Sequence, residues 1–208
     1  GGGLYLTNPL PSSKLVNVTL ASNVGSLGGG GMYVANGAID LTNVTFANNQ
    51  SAANAGGGIA SFNSSVGLRN VLLANFNDDC YFLSPVGTPV NESNLSTDAT
   101  CSFGPARDNV TSPRLVLTDN GGPTQTILFD ADSPTVDAGT LTGCPPTDQR
   151  GAPRPFGASC EVGATEFGAV VPTTTTLPSA CRNRSKMIFR SSGRIPTPVS
   201  STLTQTPP

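Results

Sequence analysis

The 208-residue chain contains no histidine and no tryptophan. The absence of His excludes a Ser-His-Asp or Cys-His nucleophile and any His-ligated metal site within it. Acid–base chemistry would fall to carboxylates, Lys, Tyr or Arg. Charged residues make up only 12% and hydrophobic residues a modest 37%, which fits neither a helical bundle nor a charged, disordered chain. No run of 18 apolar residues occurs, so no segment reads as a membrane span. The chain opens on Gly-Gly-Gly without a charged and then apolar leader. It is expected to be an excised or incomplete piece, exported by a signal that it does not contain.

Glycine (24) and proline (18) are plentiful, as suits a β protein with many turns. Charge is divided unevenly. All 13 acidic residues lie at or before Glu166, with six of the 11 basic ones, while Arg182, Arg184, Lys186, Arg190 and Arg194 follow. An acidic body does not favour nucleic acid or an anionic membrane. The basic run reads as a short solvated segment.

Self-similarity organises the first part of the chain. "GGGLYL" (1–6), "GGGMYV" (29–34) and "GGGIAS" (56–61) recur at spacings of 28 and 27. "LVNVTLASN" (15–23), "LTNVTFANN" (41–49) and "LRNVLLANF" (68–76) recur at 26 and 27. Two independent sub-motifs on one period mark stacked units. Within "AIDLTNVTF", Ile39 and Leu41 alternate with polar residues, then Val44 and Phe46 do, and the parity changes at Asn43. A straight strand would send one set to solvent, so two short strands meet at a bend on Asn43. Asn accepts the left-handed conformation that such a corner requires. Asn17 and Asn70 hold the same place, and the three are expected to stack as a side-chain ladder from rung to rung.

The glycines mark a second corner. A third strand follows each run, with Leu4, Leu6, Met32, Val34 and Ile59 inward. Three short strands in about 27 residues describe one rung of a parallel β-helix, an all-β solenoid, and crossover handedness favours a right-handed coil. A propeller blade needs about 40–45 residues, and a sandwich needs regular hairpin signals, of which "ANGAI" (35–39) is the only one inside a rung. The rungs are assigned to 1–78, a C-terminal cap region to 79–168, and a Thr/Pro-rich linker with a disordered, dispensable tail to 169–208.

The cap region carries "DNGGPTQT", "SPTVDAG" and "CPPTDQRGAPRPFGASCEVGATEFG". Together these resemble the C-terminal part of the choice-of-anchor Q domain, a family of bacterial surface and secreted proteins similar to pectin-lyase-like right-handed β-helices. The resemblance covers nearly all of residues 1–168. It implies surface attachment and brings no catalytic residues with it. Four cysteines in an exported protein favour bridges, and nearest-neighbour pairing gives Cys80–Cys101 and Cys144–Cys160, with Cys181 free.

Asp148, Arg150, Arg154 and Glu161 crowd one stretch of the cap. In β-helix polysaccharide lyases an arginine acts as base beside Ca²⁺-binding carboxylates, but that site spans successive rungs. Here Arg150 or Arg154 is expected to pair with Asp148, Glu161 or Asp137 and to bond loop carbonyls. Asp78-Asp79 reads as an acidic turn into Cys80, because the hydrolases with adjacent aspartates also use a His. Asp130 and Asp132 lack a full Ca²⁺-ligand loop, and "GGGG" (28–31) lacks the Lys-Ser/Thr of a phosphate loop. Asn17, Asn43, Asn49, Asn63, Asn91, Asn94, Asn109 and Asn183 match N-x-S/T, expected to be unmodified in a bacterial protein. No metal and no cofactor are expected.

Tyr5 and Tyr33, one rung apart, form an outward pair able to stack on a sugar. The expected function is a non-catalytic, monomeric scaffold, secreted or at a bacterial cell surface, meeting surface glycans or other surface proteins. The alternative is a fragment of a carbohydrate-active β-helix enzyme whose catalytic rungs lie upstream.

Overall fold

A computed structural model describes residues 1–52 and 54–172. The expectations for Cys181 and for the tail beyond 172 lie outside the described residues. The protein is an all-β parallel solenoid of three turns followed by a shorter fourth. The first turn supplies β1 (Leu4–Thr7) and β2 (Lys14–Ala21), and the second supplies β3 (Met32–Ala35) and β4 (Ala38–Ala47). The third contributes β5 (Ile59–Phe62), β6 (Ser65–Arg69) and β7 (Leu72–Ala74). The fourth contributes β8 (Cys80–Leu83), β9 (Asn91–Glu92) and β10 (Leu95–Ser96). One sheet has the order β1-β3-β5-β8. The second stacks β2, β4, then β6 with β7, then β9 with β10, all parallel.

The register follows the sequence period. Leu4 lies opposite Met32, Met32 opposite Ile59, and Ile59 opposite Cys80. Met32, Val34, Ile39, Leu41, Val44, Phe46 and Ile59 fill the interior, as their alternation requires. The change of parity is achieved at Asn17, Asn43 and Asn70, whose φ values of 55°, 52° and 53° put the backbone in the left-handed region. Asn8, Asn36 and Asn63 turn a further corner with φ of 51°, 56° and 46°. At Gly30 the constraint is contact, since a Cβ would strike the carbonyls of Gln50 on its own turn and of Gly57 on the next.

The ladders run on past residue 78, where the repeated lettering fades. β8 continues the first sheet, while Ser84 and Ser93 take the left-handed corners with φ of 52° and 53°. Serine replaces asparagine there, so the geometry persists without the motif.

The region expected as a cap divides in two. Cys101, tied to Cys80, and Phe103 pack onto the interior and close the fourth turn. The chain beyond lies along the flank instead. It covers the outward side of β4, β7 and β10 and forms a second apolar cluster of Ala47, Leu72, Leu95, Ile127, Phe129 and Val162. It holds one small antiparallel pair, β11 (Leu117–Thr118) with β12 (Thr126–Ile127), and the Cys144–Cys160 bridge. Ala169, assigned above to the linker, is buried with this strap. The physical reason is that Leu72, Ala47 and Leu95 face outward from the column and need cover that solvent cannot give.

Candidate functional site

The three corner asparagines turn their amides to the strap. Asn17 Nδ2 donates to the Thr147 carbonyl at 2.6 Å. Asn43 Nδ2 donates to the carbonyls of Glu161 and Gly163 at 2.9 and 3.3 Å. Asn70 Nδ2 donates to the Thr140 carbonyl at 3.0 Å, and its Oδ1 accepts the Thr140 N–H at 2.7 Å. Thr19 and Thr45 add bonds to Gln149 and to the Ala164 N–H. The expected ladder is therefore kept at its Asn43–Asn70 step and corrected at the Asn17–Asn43 step. Asn70 reaches Asn43 only at 3.4 Å, and among the described residues no side-chain bond joins Asn17 to Asn43. A left-handed corner points its side chain away from the interior, so these amides meet whatever lies on the flank.

The continuous ladder is Asn23–Asn49–Asn75, ending on Asp79. Asn23 Nδ2 donates to Asn49 Oδ1 at 2.9 Å, Asn49 Nδ2 to Asn75 Oδ1 at 2.8 Å, and Asn75 Nδ2 to Asp79 Oδ1 at 2.8 Å. Each step also carries a backbone N–H bond to the same oxygen, at 3.0, 3.1 and 2.9 Å. Asp79 Oδ2 accepts from Ser96 Oγ and from the N–H and hydroxyl of Thr97. Burial holds the Asp79 carboxyl above its ordinary pKa, against the opposing pull of these bonds. Asp79, wholly buried, thus ends a ladder rather than acting as an acid–base pair with Asp78.

The ionisable stretch is buried throughout, with Asp148, Arg150, Arg154, Glu161 and Glu166 all at most 7% exposed. Arg150 grips Asp148 Oδ2 through Nε and Nη2 at 2.8 and 2.7 Å, and its Nη2 also meets the Glu166 carbonyl at 2.7 Å. Asp148 Oδ1 accepts the N–H groups of Arg150 and Ala152, and its Oδ2 that of Glu166. Arg154 bonds the Gly163 carbonyl at 2.9 Å and lies 3.3 Å from the Glu166 carboxylate. Of the expected pairings, Arg150–Asp148 is present. Arg154 pairs with Glu166 and meets only the backbone of Glu161, and Asp137 instead accepts the Ser159 N–H.

Burial, then a hydrogen bond to Glu166 and its charge, pushes Glu161 up to about 9. Glu161 thus keeps its proton near neutrality. With that proton, two arginines face two negative charges. The set is neutral, as a buried ionic group must be to be tolerated. Burial lowers the pKa of Arg154, with the nearby carboxylates opposing that shift. Chemically the cluster is a clasp on an irregular segment, closed to substrate.

Tyr5 and Tyr33 are opposite one another on the outer face of the first sheet, with ring centroids 5.3 Å apart and planes 6° from parallel. Sequence reading missed their neighbours. Tyr81 continues that position beyond Ala60, and Phe62 and Leu83 stand beside it, each exposed by more than 40%. The signal was the register of the fourth turn.

On the second sheet, Lys14, Asp40, Thr42 and Arg69 line a cavity of about 160 Å³ across three turns. Gly67 gives the Asp40 carboxylate room, and Arg69 is paired with Glu92 at 2.9 Å. Asp130 and Asp132 border an open groove with Arg114. Among the described residues no group of three or more Asp, Glu or Cys side chains converges as a metal site. No described helix is long and apolar enough to cross a membrane. Asn43, Asn49 and Asn94 are buried, which leaves no room for a glycan on their amides. No family model matches the chain, and neither the curated proteins nor the solved structures contain a match.

Proposed function

We propose that the chain is a non-catalytic scaffold, secreted or displayed at a bacterial cell surface, whose first sheet meets glycans through its outer face. The observation that carries this reading is the stacked pair of exposed Tyr5 and half-buried Tyr33, with exposed Tyr81 and Phe62 further along the same face. Aromatic faces of this kind take up apolar sugar surfaces while flanking hydroxyls compete with water for the rest. Two disulfides suit an oxidising compartment. The likeness of the terminal motif to the choice-of-anchor Q domain supports surface placement.

The test is calorimetric titration with a panel of neutral and acidic oligosaccharides, comparing the parent with the Tyr5→Ala/Tyr33→Ala variant. Binding that weakens at least fivefold in the variant supports the reading. Absence of binding across the panel, or equal binding by the variant, removes it.

A second reading differs from the upstream-fragment alternative in placing carbohydrate-active chemistry within this chain, at the cavity that Lys14, Asp40 and Arg69 line from successive turns. Catalysis needs a base, a charge stabiliser and a substrate held in mutual register, and the arginines of the strap are already occupied. The chain is therefore expected to release no unsaturated product from polygalacturonate, with or without Ca²⁺, in an absorbance assay. Turnover abolished by Asp40→Asn would establish the second reading, and turnover abolished by Arg150→Ala would make the buried clasp an active site.

A further inference from the structure

The outer face of the second sheet has a dent, and charges of alternating sign stand around it. Leu15, Leu41 and Leu68 point inward at one register position, so the residues on either side of them point out. Before them come Lys14, Asp40 and Gly67 on successive turns. After them come Val16, Thr42 and Arg69, with Glu92 beyond. Val90 precedes the Asn91 that pairs with Leu68, so it stands beside Gly67. Because Gly67 has no side chain, the series is interrupted between Asp40 and Val90. That interruption floors the cavity of about 160 Å³.

The polar groups around this floor are accessible and unpaired. Lys14 and Asp40 are exposed, and Thr42 and Arg69 are half-buried. Lys14 lies opposite Asp40 in register, yet no ion pair joins them. The reason lies at residue 67, where the Asp40 carboxylate leans into the space that a Cβ would occupy. Among the described residues nothing bonds the Lys14 ammonium, the Asp40 carboxylate or the Thr42 hydroxyl. Arg69 uses only its Nε, on Glu92 at 2.9 Å, which leaves both Nη groups without a partner. By contrast, Asp79, Asp98, Asp137 and Asp148 each accept at least one backbone N–H.

The order of charge decides what fits. From turn to turn it runs positive, negative, positive, at about 4.8 Å per turn. An anion drawn to Lys14 and Arg69 meets Asp40 between them, and a cation drawn to Asp40 meets a base on either side. A ligand with both charges a few ångströms apart opposes neither. We infer that this cavity binds a free aliphatic α-amino acid. Its ammonium meets Asp40, its carboxylate meets the free Nη groups of Arg69 and the Lys14 ammonium, and its side chain lies on Val90. The guanidinium fork matches a carboxylate. Size agrees, since about 150 Å³ already holds a benzene-sized molecule. The inference shares its cavity with the second reading above but requires no turnover, and it is independent of the aromatic sheet face.

The experiment is a titration of the ¹⁵N-labelled full chain, read at the Gly67 amide in ¹H–¹⁵N correlation spectra. The probes are L-valine, N-acetyl-L-valine, which lacks the ammonium, and L-valinamide, which lacks the carboxylate. L-valine is expected to give saturable shifts at millimolar concentration and to bind at least about threefold more tightly than either analogue, as partly exposed ion pairs support. Asp40→Asn is expected to weaken L-valine by a similar factor and to leave N-acetyl-L-valine no weaker. Lys14→Gln is expected to weaken L-valine and N-acetyl-L-valine and to leave L-valinamide no weaker. Both positions are exposed, so neither change threatens the fold. Absence of a saturable shift at Gly67 with L-valine overturns the proposal, as does equal affinity for the three probes. An Asp40→Asn variant that binds L-valine like the parent overturns it too. Oligosaccharide binding and polygalacturonate turnover are read separately, so either can fail without it.

Discussion

Replacing Asn49 with Ala tests the ladder at its middle step. Asn49 is wholly buried and makes four side-chain bonds. Its Oδ1 accepts the N–H and the amide of Asn23 at 3.0 and 2.9 Å. Its Nδ2 donates to the Leu20 carbonyl and to Asn75 Oδ1, both at 2.8 Å. Asn75 Oδ1 would keep the Asn49 N–H, so the variant strands three groups: the Leu20 carbonyl and both Asn23 donors. Asn23 is half-buried and its amide can turn towards water, whereas the carbonyl is held in a parallel strand. At about 1–3 kcal/mol for a buried group left unsatisfied and about 1 for each bond simply lost, the cost is about 3 kcal/mol. That is a large part of a typical total of about 5–15 kcal/mol, and it corresponds to a fall in Tm of roughly 6–12 °C for a domain of this size.

The measurement is urea unfolding followed by far-UV circular dichroism. Asn49→Asp separates hydrogen bonding from packing, because it keeps the acceptor and loses the donor, and it is expected to be at least as damaging as Ala. Asn36→Gly serves as the control. It preserves the left-handed corner at φ 56° and removes only an exposed bond from Asn63, so it should stay within about 1 kcal/mol of the parent. An Asn49→Ala midpoint indistinguishable from the parent would refute the ladder as a stabilising element.

Three further outcomes follow from the strap. Asn43→Gly keeps φ 52° but loses the bonds to Glu161 and Gly163. It should cost about 1–2 kcal/mol, and an unchanged urea midpoint would count against strap anchoring. Glu161 has its folded pKa raised from 4.5 to about 9, so its contribution to stability is fully present below about pH 4.5 and is lost as pH rises toward 9, with a slope of at most about 1.4 kcal/mol per pH unit. Glu161→Gln should flatten that decline, and parallel stability profiles for parent and variant would refute the raised pKa of Glu161. Arg150→Met leaves Asp148 buried without its partner and should cost about 3–5 kcal/mol, read from the same unfolding curves. A cost under 1 kcal/mol would show that the clasp does not hold the strap.

The column was legible because its information is periodic. Leu41, Asn43, Val44 and Phe46 are enough to place two inward faces about a left-handed corner, and the same letters recur a turn away. The true ladder was missed because the period slips by one residue. Ala47 pairs with Ala74, an offset of 27, while Asn49 bonds Asn75, an offset of 26. Aligned by strand, Asn75 falls beside Asn48 and its role is disguised. The fourth turn was missed for a different reason. Left-handed corners tolerate Ser as well as Asn, so Ser84 and Ser93 preserve the geometry while erasing the motif.

The strap was illegible for a reason of scale. Its contacts with the column join Asn17 to Thr147 and Asn43 to Glu161, residues more than 100 positions apart, and nothing periodic announces them. What the sequence did display was the density of ionisable groups at 148–166, and the structure explains that density without catalysis. This segment runs over the outer sheet face with almost no strand of its own, so its carbonyls have no ladder to satisfy them, yet they are buried and must be paired. Arginine solves this because one guanidinium carries five donors. Arg150 reaches the Glu166 carbonyl, and Arg154 reaches those of Glu161 and Gly163. The carboxylates neutralise the arginines, and Asp148 in turn accepts three backbone N–H groups. A chain that must bury irregular backbone concentrates paired charges for the same reason an active site does, to hold polar groups away from water. Only their accessibility separates the two, and here all five side chains are sealed.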